Sequence, residues 1–273
     1  MRLFTALVSL LFLLGSCKQE SFNINNLNNN KIVVLGHGGM GSGQTYPMNS
    51  FESIAKCLAI GAHGSEMDIQ LTKDSVLVVF HDKDLSSITN LSGMVNELNW
   101  SEIKHAHYTE TPYLNYPIIS LNELLENTAH LQDFQFTFDC KLISEISENK
   151  YHKTYATALL DIIQKYQLEK NVYIESRNTN FLSLLQSENK DLQLFIYPNN
   201  FRDGLEIASN MGLFGITIST KLITKEQVEE AHENNIRVAI WNTHTKNRNI
   251  EAVQKSPDFI QTDKVNFLIN LLN

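Results

Sequence analysis

The chain has 273 residues, with 22 Lys and Arg against 30 Asp and Glu and a formal net charge of −8. A chain this acidic is a poor candidate for nucleic-acid binding through bulk electrostatics, so we expect no nucleic-acid partner. Its three cysteines are too few for a disulfide framework.

The first 30 residues have the features of an export signal followed by a polar spacer. An apolar run of 12 residues, 3–14, follows Arg2 and is too short to span a bilayer, which needs about 20 residues. It ends in Leu-Gly-Ser-Cys at 14–17, which resembles a bacterial lipobox. We therefore predict a signal peptide at 1–16, lipid attachment at Cys17 and a membrane-anchored protein of the cell envelope. An ordinary signal peptide with an incidental cysteine is the alternative.

Asparagine dominates the next segment, with six Asn in residues 22–30. We interpret 17–30 as a tether and 31–273 as the folded domain. Within that domain, short runs rich in Val, Ile, Phe and Tyr are typical of strands. The predicted strands are 32–35, 66–71, 76–80, 134–140, 172–175, 192–197, 215–219, 237–241 and 259–261.

Helical patterns lie between most of these strands. Asn49, Ser120 and Thr224 are each followed three residues later by Glu or Gln, as in a capping box, and 155–166 has apolar residues at helical spacing. Alternating strands and helices predict an α/β fold with a parallel sheet and outer helices, and the length fits a single-domain (β/α)8 TIM barrel.

Nine predicted strands are one too many for such a barrel. The connection between 66–71 and 76–80 has only four residues, which is too short for a crossover helix, so we expect a hairpin there. A turn near Lys73 would place His81 beside Glu66 and Asp68.

Four groups of polar residues follow or end predicted strands. They are the glycine-rich segment 36–43 with His37, the pair Glu66 and Asp68, His81 with Asp82, and Asp139 with Lys141. In a TIM barrel these positions lie on the catalytic face. Converging carboxylates repel one another unless a cation joins them, and three oxygen donors suit Mg²⁺ or Ca²⁺. Two histidines beside that cation can accept and donate protons, which fits cleavage of a phosphodiester.

These groups are similar, in order, to motifs of the glycerophosphodiester phosphodiesterase family. The resemblance spans about 33–263 and also includes Pro-Met-Asn-Ser at 47–50, the segment 117–125, Trp-Asn at 241–242 and Thr-Asp at 262–263. It implies a TIM barrel that hydrolyses a small-molecule glycerophosphodiester to glycerol phosphate and an alcohol. It also implies roles for individual residues: catalysis by His37 and His81, metal binding by Glu66, Asp68 and Asp139, and phosphate binding by Lys141.

The chain departs from the family pattern at three positions. Gly38 replaces an arginine that helps to hold the phosphate, Met48 replaces a glutamate, and Asp139 replaces a longer glutamate. Arg177, at the end of the fifth predicted strand, could supply the missing guanidinium. Trp241 is either a wall of the substrate site or plain barrel core.

Two other functions stay open on the sequence. The first is a phosphatidylinositol-phospholipase-like or sugar-phosphodiester lyase, in which the same histidine pair forms a cyclic phosphate. The second is a lipid-anchored protein that binds a phosphodiester without turnover, which the replacements at Gly38 and Met48 suggest.

Overall fold

The computed structural model describes residues 22–143 and 148–273. Eight parallel strands form a barrel, which closes because the first strand pairs with both the second and the last. This confirms the predicted (β/α)8 TIM barrel. The strands within the described residues are β1 (Val33–His37), β2 (Gly64–Leu71), β3 (Leu77–Val79), β4 (Ile119–Ser120), β5 (Gln135–Cys140), β6 (Val172–Ser176), β7 (Gln193–Ile196), β8 (Gly215–Ser219), β9 (Arg237–Thr243) and β10 (Phe259–Thr262).

Most of the helices surround the barrel and bury one apolar side against it. In α1, for example, Ile54 and Leu58 are one turn apart and both are buried, as expected of an amphipathic helix on a sheet. The predicted capping boxes at Ser120 and Thr224 are present and begin α3 and α7. The helices are α1 (Phe51–Ala59), α2 (Trp100–Ile103), α3 (Leu121–Asn127), α4 (Glu148–Tyr166), α5 (Thr179–Glu188), α6 (Phe201–Met211), α7 (Lys225–Glu233), α8 (Lys246–Gln254) and α9 (Val265–Leu272).

The strands β3 and β4 lie outside the barrel and belong to an insertion at 72–134. The hairpin expected after β2 is present, with Ile69 paired to Val79 and Leu71 to Leu77. The insertion has its own small core, in which Phe80 and Tyr108 are buried. Its position beside the carboxyl end of β2 makes it one wall of the barrel mouth.

The barrel interior changes from apolar to acidic along its axis. Near the amino ends of the strands it is filled by the side chains of Leu35, Tyr173, Phe195, Ala239 and Phe259. Toward the carboxyl ends it contains the acidic residues predicted from the sequence. The charged groups therefore meet above a packed floor, at the end where TIM barrels place their chemistry.

Residues 22–30 contact the domain, although the sequence assigns them to a tether. Asn26 donates a hydrogen bond of 2.8 Å to the carbonyl of Pro257, and the amide of Leu27 donates one of 2.8 Å to the Asp258 carboxylate. The folded part therefore begins before Lys31, because these asparagines and amides satisfy backbone and carboxylate groups at the amino end of the barrel. The predicted signal peptide and Cys17 lie outside the described residues. Within the described ranges, no helix is long and apolar enough to cross a membrane.

Candidate active site

Three carboxylates converge at the carboxyl ends of β2 and β5. One oxygen from each of Glu66, Asp68 and Asp139 lies within 4.8 Å of the others. Glu66 and Asp68 are two residues apart in β2, and Asp139 lies opposite Asp68 on β5. Burial, followed by the charge of Asp68, raises the pKa of Glu66 to about 8. This electrostatic cost is what a bound cation would relieve.

Lys141 bridges two of these carboxylates. Its ammonium nitrogen lies 2.8 Å from Oδ1 of Asp68 and 2.5 Å from Oδ2 of Asp139. Burial opposes ionisation of Asp68, but the charges of Lys141, His81 and His37 and the hydrogen bond from Lys141 together outweigh burial and lower the pKa of Asp68. For Asp139 burial dominates and its pKa is raised. Lys141 thus offsets only part of the negative charge.

The first predicted histidine, His37, is held by Asp263, which directly follows the last barrel strand, β10. His37 Nδ1 lies 2.7 Å from Oδ1 of Asp263, and His244 Nδ1 lies 2.7 Å from its Oδ2. The Ser42 hydroxyl also donates to Asp263. Burial would lower the pKa of His37, but the hydrogen bond to Asp263 and the charge of Glu66 outweigh it and raise the pKa to about 9.

The second predicted histidine lies on the insertion side of the mouth. The His81 side chain is 60% exposed, and its Nδ1 lies 2.7 Å from Oδ1 of Asp82. His37 and His81 line the same cavity. The structure therefore brings both histidines to the end of the barrel that carries the carboxylates, each with an aspartate on its Nδ1.

Asn49 belongs to the site, whereas the sequence predicted it to cap a helix. The cap of α1 is Ser50, whose side chain accepts from the amide of Ser53. Asn49 has a φ of +64°, a region that Asn tolerates better than most residues. The side-chain nitrogen of Asn49 donates to Asp68 Oδ2 at 2.7 Å, and its side-chain oxygen accepts from the backbone amide of Asp68 at 3.1 Å. These two bonds hold the Asp68 carboxylate in place.

Gly38 and Met48 are in contact across the β1–α1 loop. Gly38 has a φ of +56°, and a Cβ built there would lie 2.9 Å from Met48 Cβ and Cε. The amide of Gly38 donates to Glu66 Oε2 at 3.0 Å. A side chain at position 38 would therefore strain the backbone and collide with Met48. The backbone amide of Gly38 is needed to hold the Glu66 carboxylate.

Arg177 directly follows β6 and Trp241 belongs to β9, so both lie near the carboxyl ends of barrel strands. The Arg177 guanidinium lies 3.8 Å from the centroid of the Tyr197 ring, and it donates to Asn199. The Tyr197 and Trp241 rings meet edge to face at 5.5 Å. Among the described residues, the buried indole nitrogen of Trp241 has no hydrogen-bond partner.

A fourth buried carboxyl, Glu175, lies beside Asp139 on the neighbouring strand. Its Oε1 accepts from Thr217 Oγ1 at 2.5 Å and from Gln261 Nε2 at 2.6 Å. Burial, with the charge of Asp139 second, raises the pKa of Glu175 well above its usual range. Sequence reasoning missed this residue, because its two partners come from other strands.

The donor set fits a hard divalent cation. Glu66, Asp68 and Asp139 offer carboxylate oxygens, which Mg²⁺ and Ca²⁺ prefer. A second group, made of His37, His244 and Asp263, is also close enough to hold an ion. In that group, however, the Asp263 oxygens are already taken by two Nδ1 atoms and a hydroxyl. The acidic group is therefore the better candidate for the metal.

Residues 40–266 match the model of the glycerophosphoryl diester phosphodiesterase family. The chain belongs to that family. The expected class of enzyme, a phosphoric diester hydrolase, is thereby confirmed.

Individual relatives agree with this assignment. The glycerophosphodiester phosphodiesterase of Caldanaerobacter subterraneus is 26% identical over 89% of this chain and 98% of its own length. A solved glycerophosphodiester phosphodiesterase from Parabacteroides distasonis has a TM-score of 0.75 at 20% identity, covering 88% of this chain and 96% of that one. An Oleispira antarctica phosphodiesterase, solved with its product sn-glycerol-3-phosphate, has a TM-score of 0.77 at 17% identity, covering 87% of this chain and 95% of that one. At these identities the two structures support the fold.

Proposed function

We propose that this chain hydrolyses glycerophosphodiesters to glycerol phosphate and an alcohol, using a divalent cation and two histidines. The observation that carries the proposal is the convergence of Glu66, Asp68 and Asp139 at the mouth that also holds His37 and His81. Buried acids at this density favour a cation, and paired imidazoles favour proton transfer.

Each part of the site has a defined task in this proposal. When bound by the three carboxylates, Mg²⁺ or Ca²⁺ supplies Lewis-acid stabilisation of the phosphoryl oxygens. One histidine takes a proton from the attacking hydroxyl, either water or the substrate 2-hydroxyl, and the other gives a proton to the alkoxide that leaves as its P–O bond breaks. If the 2-hydroxyl attacks, water then opens the cyclic phosphate to glycerol phosphate. Asp263 and Asp82 orient the two rings through their Nδ1 atoms, so Nε2 is the atom left to move protons. Lys141 lies where it can offset charge that grows on the phosphate.

Arg177 is proposed to supply the guanidinium that position 38 lacks. Burial raises the pKa of Asp139, and the charge of Arg177 is near enough to oppose part of that rise. Arg177→Ala should raise KM severalfold with a smaller change in kcat, because it removes a binding contact. Unchanged kinetics would remove Arg177 from the site.

A hydrolysis screen of the purified protein tests the whole proposal. We expect release of glycerol phosphate from several glycerophosphodiesters in the presence of Mg²⁺ or Ca²⁺, and loss of activity with EDTA that either ion restores. His37→Ala and His81→Ala should each reduce kcat by at least about 100-fold. Activity that is insensitive to EDTA would exclude the metal, and binding without turnover would favour the non-catalytic alternative.

Product analysis separates hydrolysis from the lyase alternative. A hydrolase gives the open glycerol phosphate as its stable product. Accumulation of a cyclic phosphate would show that the histidine pair uses a substrate hydroxyl as nucleophile and stops there.

We further propose that the mature protein is anchored through a lipidated Cys17 in the cell envelope. The chain from 17 to 22 spans at most about 18 Å, and residues 22–30 contact the amino end of the barrel. An anchored protein would therefore hold its catalytic mouth on the side away from the membrane, toward water-soluble diesters. Labelling of the intact precursor with a radioactive fatty acid tests the anchor. Cys17→Ser should abolish the label, and equal labelling of that variant would exclude the anchor.

A further inference from the structure

A third histidine, His244, contacts the same aspartate that holds His37. Its Nδ1 lies 2.7 Å from Oδ2 of Asp263, and His37 Nδ1 lies 2.7 Å from Oδ1 of that carboxylate. The centroids of the two imidazole rings are 6.1 Å apart. Because an ionised carboxylate only accepts hydrogen bonds, the Nδ1 of each ring carries the proton. Asp263 therefore joins two histidines, of which the proposed reaction uses one.

An irregularity in β9 brings His244 to this position. Ile260 of β10 pairs with Ile240 of β9, whereas Thr262 pairs with Thr243. Between these two pairs β9 thus has one residue more than β10, as in a β-bulge, and Asn242 in this stretch has a φ of +64°. Bulges of this kind redirect side chains and are frequent beside active sites.

The extra residue decides which side chain of this strand lies beside Asp263. In an unbroken register Thr243 would lie there, whereas the observed register places His244 beside Asp263. On the other side, the register of β1 with β10 places His37 beside the same carboxylate. The three side chains therefore come from the ends of three neighbouring strands, with the carboxylate in the middle.

The Asp263 carboxylate is held on both of its oxygens. Oδ2 accepts from His244 Nδ1 and from the Ser42 hydroxyl, and Oδ1 faces Nδ1 of His37. The last torsion angle of an aspartate side chain has only broad preferences of its own. The contacts at Oδ2 therefore fix the direction in which Oδ1 meets His37.

His244 differs in location from the two histidines that are proposed to move protons. His37 and His81 line the cavity between the β1–α1 loop and the insertion, whereas His244 is not among the residues that line it within the described ranges. The His244 side chain is 46% exposed. Its hydrogen bond to Asp263 is thus what connects it to the reaction.

We propose that His244 is a positioning residue, whose Nδ1–H holds Oδ2 of Asp263 so that Oδ1 stays on Nδ1 of His37. The ring of His37 then keeps its Nε2 directed into the mouth. This inference rests on the proposed diesterase function and adds to it a residue that acts through another residue.

Substitutions at position 244 separate positioning from proton transfer. His244→Ala removes the donor and should lower kcat about tenfold with a small change in KM, as expected for the loss of one hydrogen bond that acts on catalysis and not on binding. His244→Asn cannot transfer protons, but its amide nitrogen can take the place of Nδ1, so it should recover most of kcat. His232→Ala is the matched control, because His232 also pairs with a buried aspartate, Asp258, and should keep kcat.

Two outcomes of these assays would overturn the inference. The first is an unchanged kcat in His244→Ala. The second is an equal loss of kcat in His244→Ala and His244→Asn, because the imidazole would then be needed for more than its Nδ1–H.

A second measurement does not depend on turnover. The proton on His37 Nδ1 is protected from exchange with water as long as Asp263 holds it, and its low-field NMR signal can be identified with isotope-labelled histidine and by its loss in His37→Asn. We expect this signal to persist in His244→Asn and to broaden in His244→Ala. If no diester is cleaved, the proposed function fails and this signal decides whether His244 positions Asp263, with equal signals in the two variants against it.

Discussion

Asp263→Asn tests whether the aspartate behind His37 sets its charge and orientation. The substitution keeps the size of the side chain but removes the negative charge that His37, His244 and Ser42 share. The pKa of His37 is raised from 6.5 to about 9 despite burial. A rise of this size corresponds to about 3 kcal/mol, and the hydrogen bond to Asp263 is the largest of the effects that raise the pKa.

Two losses follow from this substitution. The protonated form of His37 loses its main stabilising partner, and the ring loses the acceptor that keeps the proton on Nδ1. We expect kcat to fall by about 10²–10⁴ with a small change in KM, because the effect is on proton transfer and not on binding. The assay is steady-state hydrolysis of a glycerophosphodiester with saturating Mg²⁺ or Ca²⁺.

The control for this experiment is Asp258→Asn. Asp258 is also buried and lies 2.8 Å from a histidine nitrogen, that of His232, but it is at the amino end of the barrel. This variant should lower the melting temperature while the folded fraction keeps nearly full kcat. If Asp263→Asn retains kcat, or if both variants lose it equally, the proposed role of Asp263 is wrong.

The pH dependence of stability offers a check on the same pair, and three further substitutions test the surrounding contacts. The pKa of Asp263 is lowered from 3.8, so its contribution to the free energy of unfolding is present above pH 3.8 and is lost as pH falls through its folded pKa. The contribution of His37 to the free energy of unfolding is complete below pH 6.5 and is lost as pH rises through about 9. The difference in melting temperature between wild type and Asp263→Asn, both metal-free, should therefore be largest near pH 5 and smaller at pH 10. Lys141→Met should lower the unfolding free energy of the metal-free protein by about 2 kcal/mol, and added Mg²⁺ should recover part of it, as measured by urea titration. Gly38→Ala should cost about 1–3 kcal/mol in the same titration, because of its positive φ and its contact with Met48. Glu175→Gln should change the unfolding free energy by less than about 1 kcal/mol, since burial already favours the neutral acid, whereas Glu175→Ala should cost about 3 kcal/mol.

The barrel itself could be predicted from the sequence because its strands are short, buried and separated by helical patterns. Each of the nine predicted strands overlaps an observed one. The hairpin after β2 followed from the length of one connection, and its observed register places Phe80 opposite Asp68, as the amide of Phe80 donates to the Asp68 carbonyl. The missed strand, β4, has two residues and pairs with β3, so it is too short to leave a periodic pattern.

The contacts between distant parts of the chain could not be predicted. His37 and Asp263 are 226 positions apart, and they meet only because β1 and β10 close the barrel with Gly36 opposite Thr262. The role of His244 depends on the same closure. The sequence predicted Asn49 as a helix cap, but Ser50 is an equally good cap and takes that position, so Asn49 is free to hold Asp68.

Gly38 and Met48 look like two separate departures from the family pattern, but in the structure they are one contact. A side chain at 38 would meet Met48, and the left-handed backbone there favours glycine. The pair therefore replaces polar side chains with an apolar contact on the insertion side of the mouth, where Met48 also lines the cavity. The two replacements that suggest a weakened phosphate site thus also make the insertion side of the mouth apolar, while Lys141 keeps a positive charge in direct contact with Asp68 and Asp139.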